Sequence, residues 1–167
     1  MLYDGRTGLP TISHSVAEAI LTVDPDNSNV GFIVWYVQLG DGRPDGIALV
    51  DECNNVVHFI SYEGSFLATE GLAENLVSSD IRYSESGYRT EQFSLQRIGI
   101  GFDNARVNNE WIVAKRTHGA SNALQVLGEC NPVGFGYFVS SKFSHLLDTA
   151  FFNWVGAIER NPLRRLC

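Results

Sequence analysis

Apolar residues along this chain fall into short runs, and turn-forming residues separate one run from the next. Val30 to Gln38 is the most strand-like run, because its residues are apolar on both faces of a two-residue period. A strand of this kind has to be covered on both sides. The pattern therefore predicts a sheet that is packed on each face at this point.

Two neighbouring runs, Pro44 to Asp51 and Val56 to Gly64, predict a β-hairpin. The turn-forming dipeptide Asp45-Gly46 opens the first run, and Asn54-Asn55 between the runs can adopt left-handed turn conformations. The second run is rich in β-branched and aromatic residues, which favour strands. The hairpin is the best-marked element of the sequence.

Three further segments predict strands, namely Val16 to Val23, Glu91 to Ile98 and Glu110 to Ala114. Residues 65 to 90 are rich in small and polar residues and have neither period, which predicts a long ordered loop. Several short strands separated by turn-rich loops are typical of an all-β sandwich or barrel.

An apolar stripe with steps of three and four predicts an amphipathic α-helix over about residues 141–160. Ser140 or Ser141 can cap its start, and Asn161-Pro162 ends it. A stripe of this width needs a partner. We expect it to dock on the chain's own sandwich, with a homodimer as the second choice and a membrane surface as the last. The stripe consists of Phe143, Leu146, Leu147, Ala150, Phe151, Trp154, Val155 and Ile158.

Composition indicates one globular domain with an acidic surface. The chain has 167 residues, 44% of them hydrophobic, and a formal net charge of -7. Its 12 basic residues are scattered, and only Arg160, Arg164 and Arg165 approach a cluster. Phosphate binding needs clustered basic residues, so we expect no nucleic-acid binding by this chain alone.

The three cysteines, Cys53, Cys130 and Cys167, are too widely spaced for a C-x-x-C metal or redox motif, although one disulfide is possible. Residues 1 to 25 contain no signal-peptide pattern, and no run of about 18 apolar residues would span a membrane. If Met1 is the true start, the product is expected to stay in the compartment of its synthesis.

The order and spacing of several stretches resemble the bacterial lamin-tail-like domain, an immunoglobulin-like β-sandwich. The resemblance covers about residues 1–125 and implies a C-terminal extension over 126–167. The matching stretches are Pro44 to Asp51, Val56 to Gly64, Ser79-Asp80-Ile81 with Glu85, Ser94-Leu95-Gln96 with Gly99, Trp111, and Thr117-His118-Gly119-Ala120-Ser121-Asn122.

Two departures from the family pattern stand out. The closing turn of the family usually has proline before the glycine, whereas this chain has His118 before Gly119. Family members also normally begin with one or two further strands, and this chain begins after them, at Leu2-Tyr3. The second departure predicts either a fragment or another element that covers the exposed sheet.

The residues that could carry chemistry have plainer structural interpretations. Asp24 and Asp26 with Ser28 resemble the first ligands of a calcium loop, but Asn29 and Trp35 occupy the places where an EF-hand needs glycine and glutamate. His58 lies in a predicted strand, and no G-x-S-x-G motif is present. We therefore predict no catalytic residue and no cofactor, with Asp24 and Asp26 as weak metal candidates only.

The large aromatic residues are expected to form the core rather than a binding platform. The predicted anchors are Trp35, Phe59, Tyr62 and Trp111. The sequence thus favours a non-catalytic binding or interaction module with an unknown protein or surface ligand. The alternative, which the resemblance implies, is a detached fragment of a larger secreted nuclease or hydrolase. The chain would then be extracellular and would lack its catalytic domain.

Overall fold

The computed structural model describes residues 1–23, 30–37, 44–83, 93–100, 111–126, 137–144 and 149–157. The chain divides into two compact units that interleave along the sequence. The first unit joins Met1–Ser15 to Leu39–Ser84, with Arg164–Cys167, and the second joins Val16–Gln38 to Glu85–Leu163.

The described part of the chain is all-β apart from one 3-10 turn at Val16–Glu18, and the predicted fold class is confirmed at this level. Its strands are β1 (Leu2–Asp4), β2 (Leu9–Ile12), β3 (Ile20–Val23), β4 (Val30–Val37), β5 (Asp45–Val50), β6 (Val56–Tyr62), β7 (Ser79–Asp80), β8 (Phe93–Arg97), β9 (Gly99–Ile100), β10 (Trp111–Lys115), β11 (Gln125–Val126), β12 (Tyr137–Ser144) and β13 (Thr149–Ala157).

The first unit is built on a five-stranded sheet of order β2-β1-β5-β6-β7. Strands β5 and β6 pair antiparallel, as the predicted hairpin requires. Asp51 fixes the turn, because its Oδ1 accepts hydrogen bonds from the backbone N–H of Asn55 at 2.7 Å and of Cys53 at 2.9 Å. Asn54 takes the left-handed conformation with φ of 65°. The turn is therefore specified by local side chains.

Hydrogen bonding at this turn also lowers the pKa of Asp51. The largest cause is the bond from the side-chain amide of Asn55, at 2.9 Å from Oδ2, followed by those from the backbone of Asn55 and Cys53. Burial opposes them. The ionised carboxylate is the form that accepts these bonds, so it holds the hairpin turn closed at neutral pH.

Three aromatic rings form the core of the first unit. The ring centroids of Tyr3 and Phe59 lie 5.2 Å apart, and those of Phe59 and Phe66 lie 5.3 Å apart with an edge-on arrangement. The hydroxyl of Tyr3 accepts a hydrogen bond from the backbone N–H of Ala73 at 3.0 Å, so this buried polar atom is satisfied. Ala48, Ala68 and Ala73 complete the buried cluster.

Phe66 can occupy its position only because two glycines face it. A Cβ atom at Gly46 would lie 2.8 Å from the ring of Phe66 and 2.9 Å from the carbonyl oxygen of Ile60. A Cβ atom at Gly5 would lie 2.7 Å from the same ring. The Asp45-Gly46 dipeptide thus has a packing role as well as the turn role that the sequence suggests.

The second unit contains a four-stranded sheet of order β12-β13-β4-β3, in which β4 has a partner on each edge. Phe32 and Val34 are fully buried on β4, whereas Trp35 is half-buried and Tyr36 is exposed. The ladder β8–β10 belongs to the same unit, and β12 lies against β8.

The predicted C-terminal helix is wrong over the residues that the structure describes there, because 141–144 and 149–157 are strands β12 and β13. Residues 145–148 and 158–160 lie outside the described part. The segment Thr149–Ala157 is rich in β-branched and aromatic residues, and β4 offers it a full ladder of backbone partners from Val30 to Val37. The pairing of β13 with β4 therefore decides for a strand, although the spacing of the apolar residues fits a helix. This segment joins the sheet as a strand and does not dock on it as a helix.

Two other predicted boundaries differ from the structure. The strand predicted for Val16 to Val23 begins with the 3-10 turn and becomes extended only at Ile20–Val23. The predicted loop over residues 65–90 contains the short strand β7, and its residues 84–90 are outside the described part.

Three of the four predicted anchors, Phe59, Tyr62 and Trp111, are buried. Trp35 is only half-buried, and Phe32 and Val34 take the buried positions of its strand. Phe59 is buried beside the rings of Tyr3 and Phe66.

Replacing Phe59 with alanine should lower the free energy of unfolding by about 3 to 5 kcal/mol, because the change leaves a cavity between Tyr3 and Phe66. Denaturant titration followed by circular dichroism measures the loss. Ile12, an exposed residue of the same sheet, gives the matched control, since Ile12→Ala should cost less than about 1 kcal/mol. Equal unfolding midpoints for the two variants would contradict the position of Phe59 in the core.

Candidate functional site

The buried side chain of Gln96 organises the loop that follows β10. Gln96 is 1% exposed, and its Nε2 donates to the carbonyl oxygen of Lys115 at 2.8 Å, to Ser94 Oγ at 3.0 Å and to Thr117 Oγ1 at 3.2 Å. Its Oε1 accepts from the backbone N–H of Ala123 at 3.0 Å. One amide side chain therefore fixes both ends of the segment from Thr117 to Ala123, which we call the closing loop.

Asn122 provides a second point of attachment for the closing loop. Its Nδ2 donates to the carbonyl oxygen of Arg97 at 3.0 Å, and its Oδ1 accepts from the hydroxyl of Thr117 at 3.3 Å. The backbone N–H of Asn122 is bound by Gln125 Oε1 at 3.1 Å. Arg97 itself is buried, and desolvation lowers the pKa of its guanidinium. The side-chain amides of Gln96, Asn122 and Gln125 thus hold the closing loop together.

The closing loop places His118 beside Tyr36 on the surface of the second unit. Tyr36 Oη and His118 Nε2 are 3.1 Å apart, and the two ring centroids are 5.7 Å apart. Tyr36 is 52% exposed, and His118 is exposed as well. Thr22 Oγ1 donates to the carbonyl oxygen of Gly119 at 3.1 Å, which ties strand β3 to the loop.

Two features favour glycine at position 119. Its φ is +63°, in the left-handed region, and a Cβ atom there would lie 3.1 Å from Thr22 Oγ1. The usual proline of the resembled family has no side chain that could bind the phenol of Tyr36, whereas His118 can. The resulting pair, Tyr36 with His118, offers an aromatic face and hydrogen-bonding groups to a ligand.

The residues that the sequence marks as chemical candidates do not gather into a site in the described part of the chain. Asp24 and Asp26 lie outside the described residues, and His58 is half-buried in β6. Among the residues that the structure describes, no group of three or more His, Cys, Asp or Glu side chains could hold a metal ion. No helix among them is long and apolar enough to cross a membrane.

Cys53 is disulfide-bonded, which the sequence analysis leaves open. The two other cysteines, Cys130 and Cys167, lie outside the described residues. Stable disulfides form in oxidising compartments and are rare in the cytosol. The disulfide of Cys53 is therefore relevant to the choice between an oxidising and a reducing compartment.

In comparisons with known proteins, no family model, no curated protein and no solved structure matches the chain.

The Tyr36–His118 pair was not predicted, because the two residues are 82 positions apart and nothing local marks them as neighbours. The only sequence signal was the departure from the family pattern at His118. The Gln96 network has a comparable signal, since Gln96 and the closing loop both lie in stretches that carry the resemblance.

Replacing Gln96 with leucine should lower the free energy of unfolding by about 3 kcal/mol, because buried partners such as the N–H of Ala123 lose their hydrogen bonds. Amide hydrogen exchange at Ala123 should accelerate more than exchange in β6 of the other unit. Arg116→Ala, an exposed change beside the loop, is the control and should cost less than about 0.5 kcal/mol. Unchanged protection of Ala123 in the leucine variant would show that Gln96 does not hold the loop.

Proposed function

We propose that this chain is a non-catalytic binding or interaction module of the lamin-tail type, an immunoglobulin-like β-sandwich whose ligand is a protein or surface partner. The observation that carries the proposal is the Gln96 network. It joins two stretches that are far apart in sequence and that both belong to the resemblance, Ser94-Leu95-Gln96 and Thr117 to Asn122.

The structural roles of the residues that carry the resemblance favour a binding module over an enzyme. In the resembling stretches, Gly46 makes room for a core ring, Asp51 closes a turn and Gln96 holds a loop. Each of these residues serves to position backbone. In the second unit, the loop that Gln96 holds places the exposed side chain of His118 beside that of Tyr36, and this pair can contact a partner.

Purified protein is expected to hydrolyse neither double-stranded DNA nor a phosphate monoester when magnesium, manganese or calcium is added, because the sequence has no acidic constellation and no metal-ligand spacing. Release of nucleotides and of phosphate measures this. Metal-dependent turnover would overturn the proposal if it survives a second purification and is lost in the Asp24→Ala/Asp26→Ala variant. The Glu70→Ala/Glu74→Ala variant, which removes the same charge elsewhere, is the control.

One observation favours the second candidate function, a detached fragment of a larger secreted nuclease or hydrolase that lacks its catalytic domain. The disulfide of Cys53 suits an extracellular parent. In the resembled family, such modules often accompany an endonuclease/exonuclease/phosphatase-type domain. That domain would supply the metal ions and the chemistry.

An antibody raised against this chain distinguishes the two functions in the source organism. The fragment hypothesis expects a species in the culture medium that is much larger than 18.5 kDa. The module hypothesis expects a species of the chain's own mass. Immunoblots of cells and medium, run beside the purified chain as a size standard, give the measurement.

A further inference from the structure

The loop that follows β6 folds into a small hairpin of its own. The backbone N–H of Ser78 donates to the carbonyl oxygen of Phe66 at 2.9 Å, and the N–H of Ala68 donates to that of Leu76 at 2.9 Å. Leu67 and Val77 form the bridge between these bonds. We call Phe66 to Ser78 the 66–78 hairpin.

The inner side of the 66–78 hairpin is anchored in the core of the first unit. Phe66, Ala68 and Ala73 are buried there. The hydroxyl of Ser78 binds Ser61 Oγ at 2.7 Å and also accepts from the backbone N–H of Phe66 at 3.0 Å. The hairpin is therefore a fixed surface feature and cannot fold its outer residues inward without losing these contacts.

The outer side of the 66–78 hairpin is apolar. Leu67 is 51% exposed and Val77 is 64% exposed, and as a directly opposed pair their Cβ atoms are about 5 Å apart. Leu72 and Leu76 on the same hairpin are each 43% exposed. Leu67 and Val77 therefore form a small apolar patch on an anchored hairpin, and exposed apolar surface of this kind marks interaction sites.

Exposed carboxylates accompany these apolar side chains on the hairpin. Glu70 and Glu74 lie on the hairpin itself and are exposed. From Pro44 to Ile81 the sequence contains no Lys or Arg, and its acidic residues are Asp45, Asp51, Glu52, Glu63, Glu70, Glu74 and Asp80. Glu70 and Glu74 would attract basic groups of a partner that covers the apolar side chains.

Resting on the proposed function as a binding module, we propose that the 66–78 hairpin docks a basic amphipathic segment of a partner protein. Aliphatic residues of that segment would cover Leu67 and Val77, and its Lys or Arg residues would face Glu70 and Glu74. A second copy of the chain is disfavoured, because a two-fold interface formed by this hairpin would bring the carboxylates of both copies into one interface. An anionic membrane surface would be repelled by the same charges.

The test measures binding of three labelled synthetic peptides of equal length to the intact chain. The leucine–lysine peptide carries leucine and lysine at helical spacing. The serine–lysine peptide has serine in place of each leucine, and the leucine–glutamate peptide has glutamate in place of each lysine. Fluorescence anisotropy should show that the leucine–lysine peptide binds at least about tenfold more tightly than either of the others. The Leu67→Ser/Val77→Ser variant should lose about that factor. The Glu70→Gln/Glu74→Gln variant should bind more weakly and with a flatter salt dependence.

Leu9→Ser is the matched control, because Leu9 is an exposed aliphatic residue of the same unit outside the hairpin. It should bind the leucine–lysine peptide as the unmodified chain does. A circular dichroism melt of each variant verifies that the core is intact, since the substituted side chains are exposed.

Three results would overturn this inference. The first is equal binding of the leucine–lysine and serine–lysine peptides, which would mean charge attraction alone. The second is a dimer in sedimentation that the Leu67→Ser/Val77→Ser change dissociates, which would assign the patch to a second copy. The third is capture of the chain by vesicles of anionic lipid through the same residues. None of these results touches the proposed non-catalytic module, which is tested separately by the hydrolysis assay and the immunoblot.

Discussion

The first unit depends on the close contact between the ring of Phe66 and two glycine backbones. A side chain at Gly5 or Gly46 would occupy the volume of that ring, so the turn after β1 and strand β5 approach it only because both residues lack a Cβ atom. Phe66 in turn lies within ring-contact distance of Phe59 and Tyr3 and begins the 66–78 hairpin. Core packing and the exposed apolar patch are consequently coupled, since the residue that fills the core also fixes the hairpin that carries the patch.

A polar constraint has the corresponding role in the second unit. Burial of an amide is costly unless its donors and acceptor are bound. Gln96 meets that condition by binding both ends of the closing loop, and it thereby holds His118 within reach of Tyr36. A hydrophobic residue at this position would fill the same space but would specify no loop conformation. The network therefore explains why a long polar side chain occupies a fully buried strand position.

The parts of the fold that could be predicted from the sequence are those that local chemistry determines. The hairpin of β5 and β6 follows from its two strand-forming runs and from a turn that Asp51 binds with its own side chain. Strand β13 could not be predicted, because its dense apolar residues fit a helical spacing and only its pairing with β4 decides between helix and strand. The Tyr36–His118 pair and the Gln96 network depend on contacts between distant residues, which periodicity does not encode.

Two groups of residues can be distinguished in this chain: buried residues that hold the fold, and exposed residues whose identity the fold does not explain. Residues of the resembling stretches, such as Gly46 and Gln96, are buried and position backbone, so their identity is explained by folding alone. The exposed groups that folding does not explain are the outer side chains of the 66–78 hairpin and the pair of Tyr36 with His118. Buried residues of this kind are fixed by packing, whereas exposed residues can be exchanged at little cost in stability. If the proposed binding function holds, the exposed groups on the 66–78 hairpin and beside His118 are therefore the positions at which a partner would be selected.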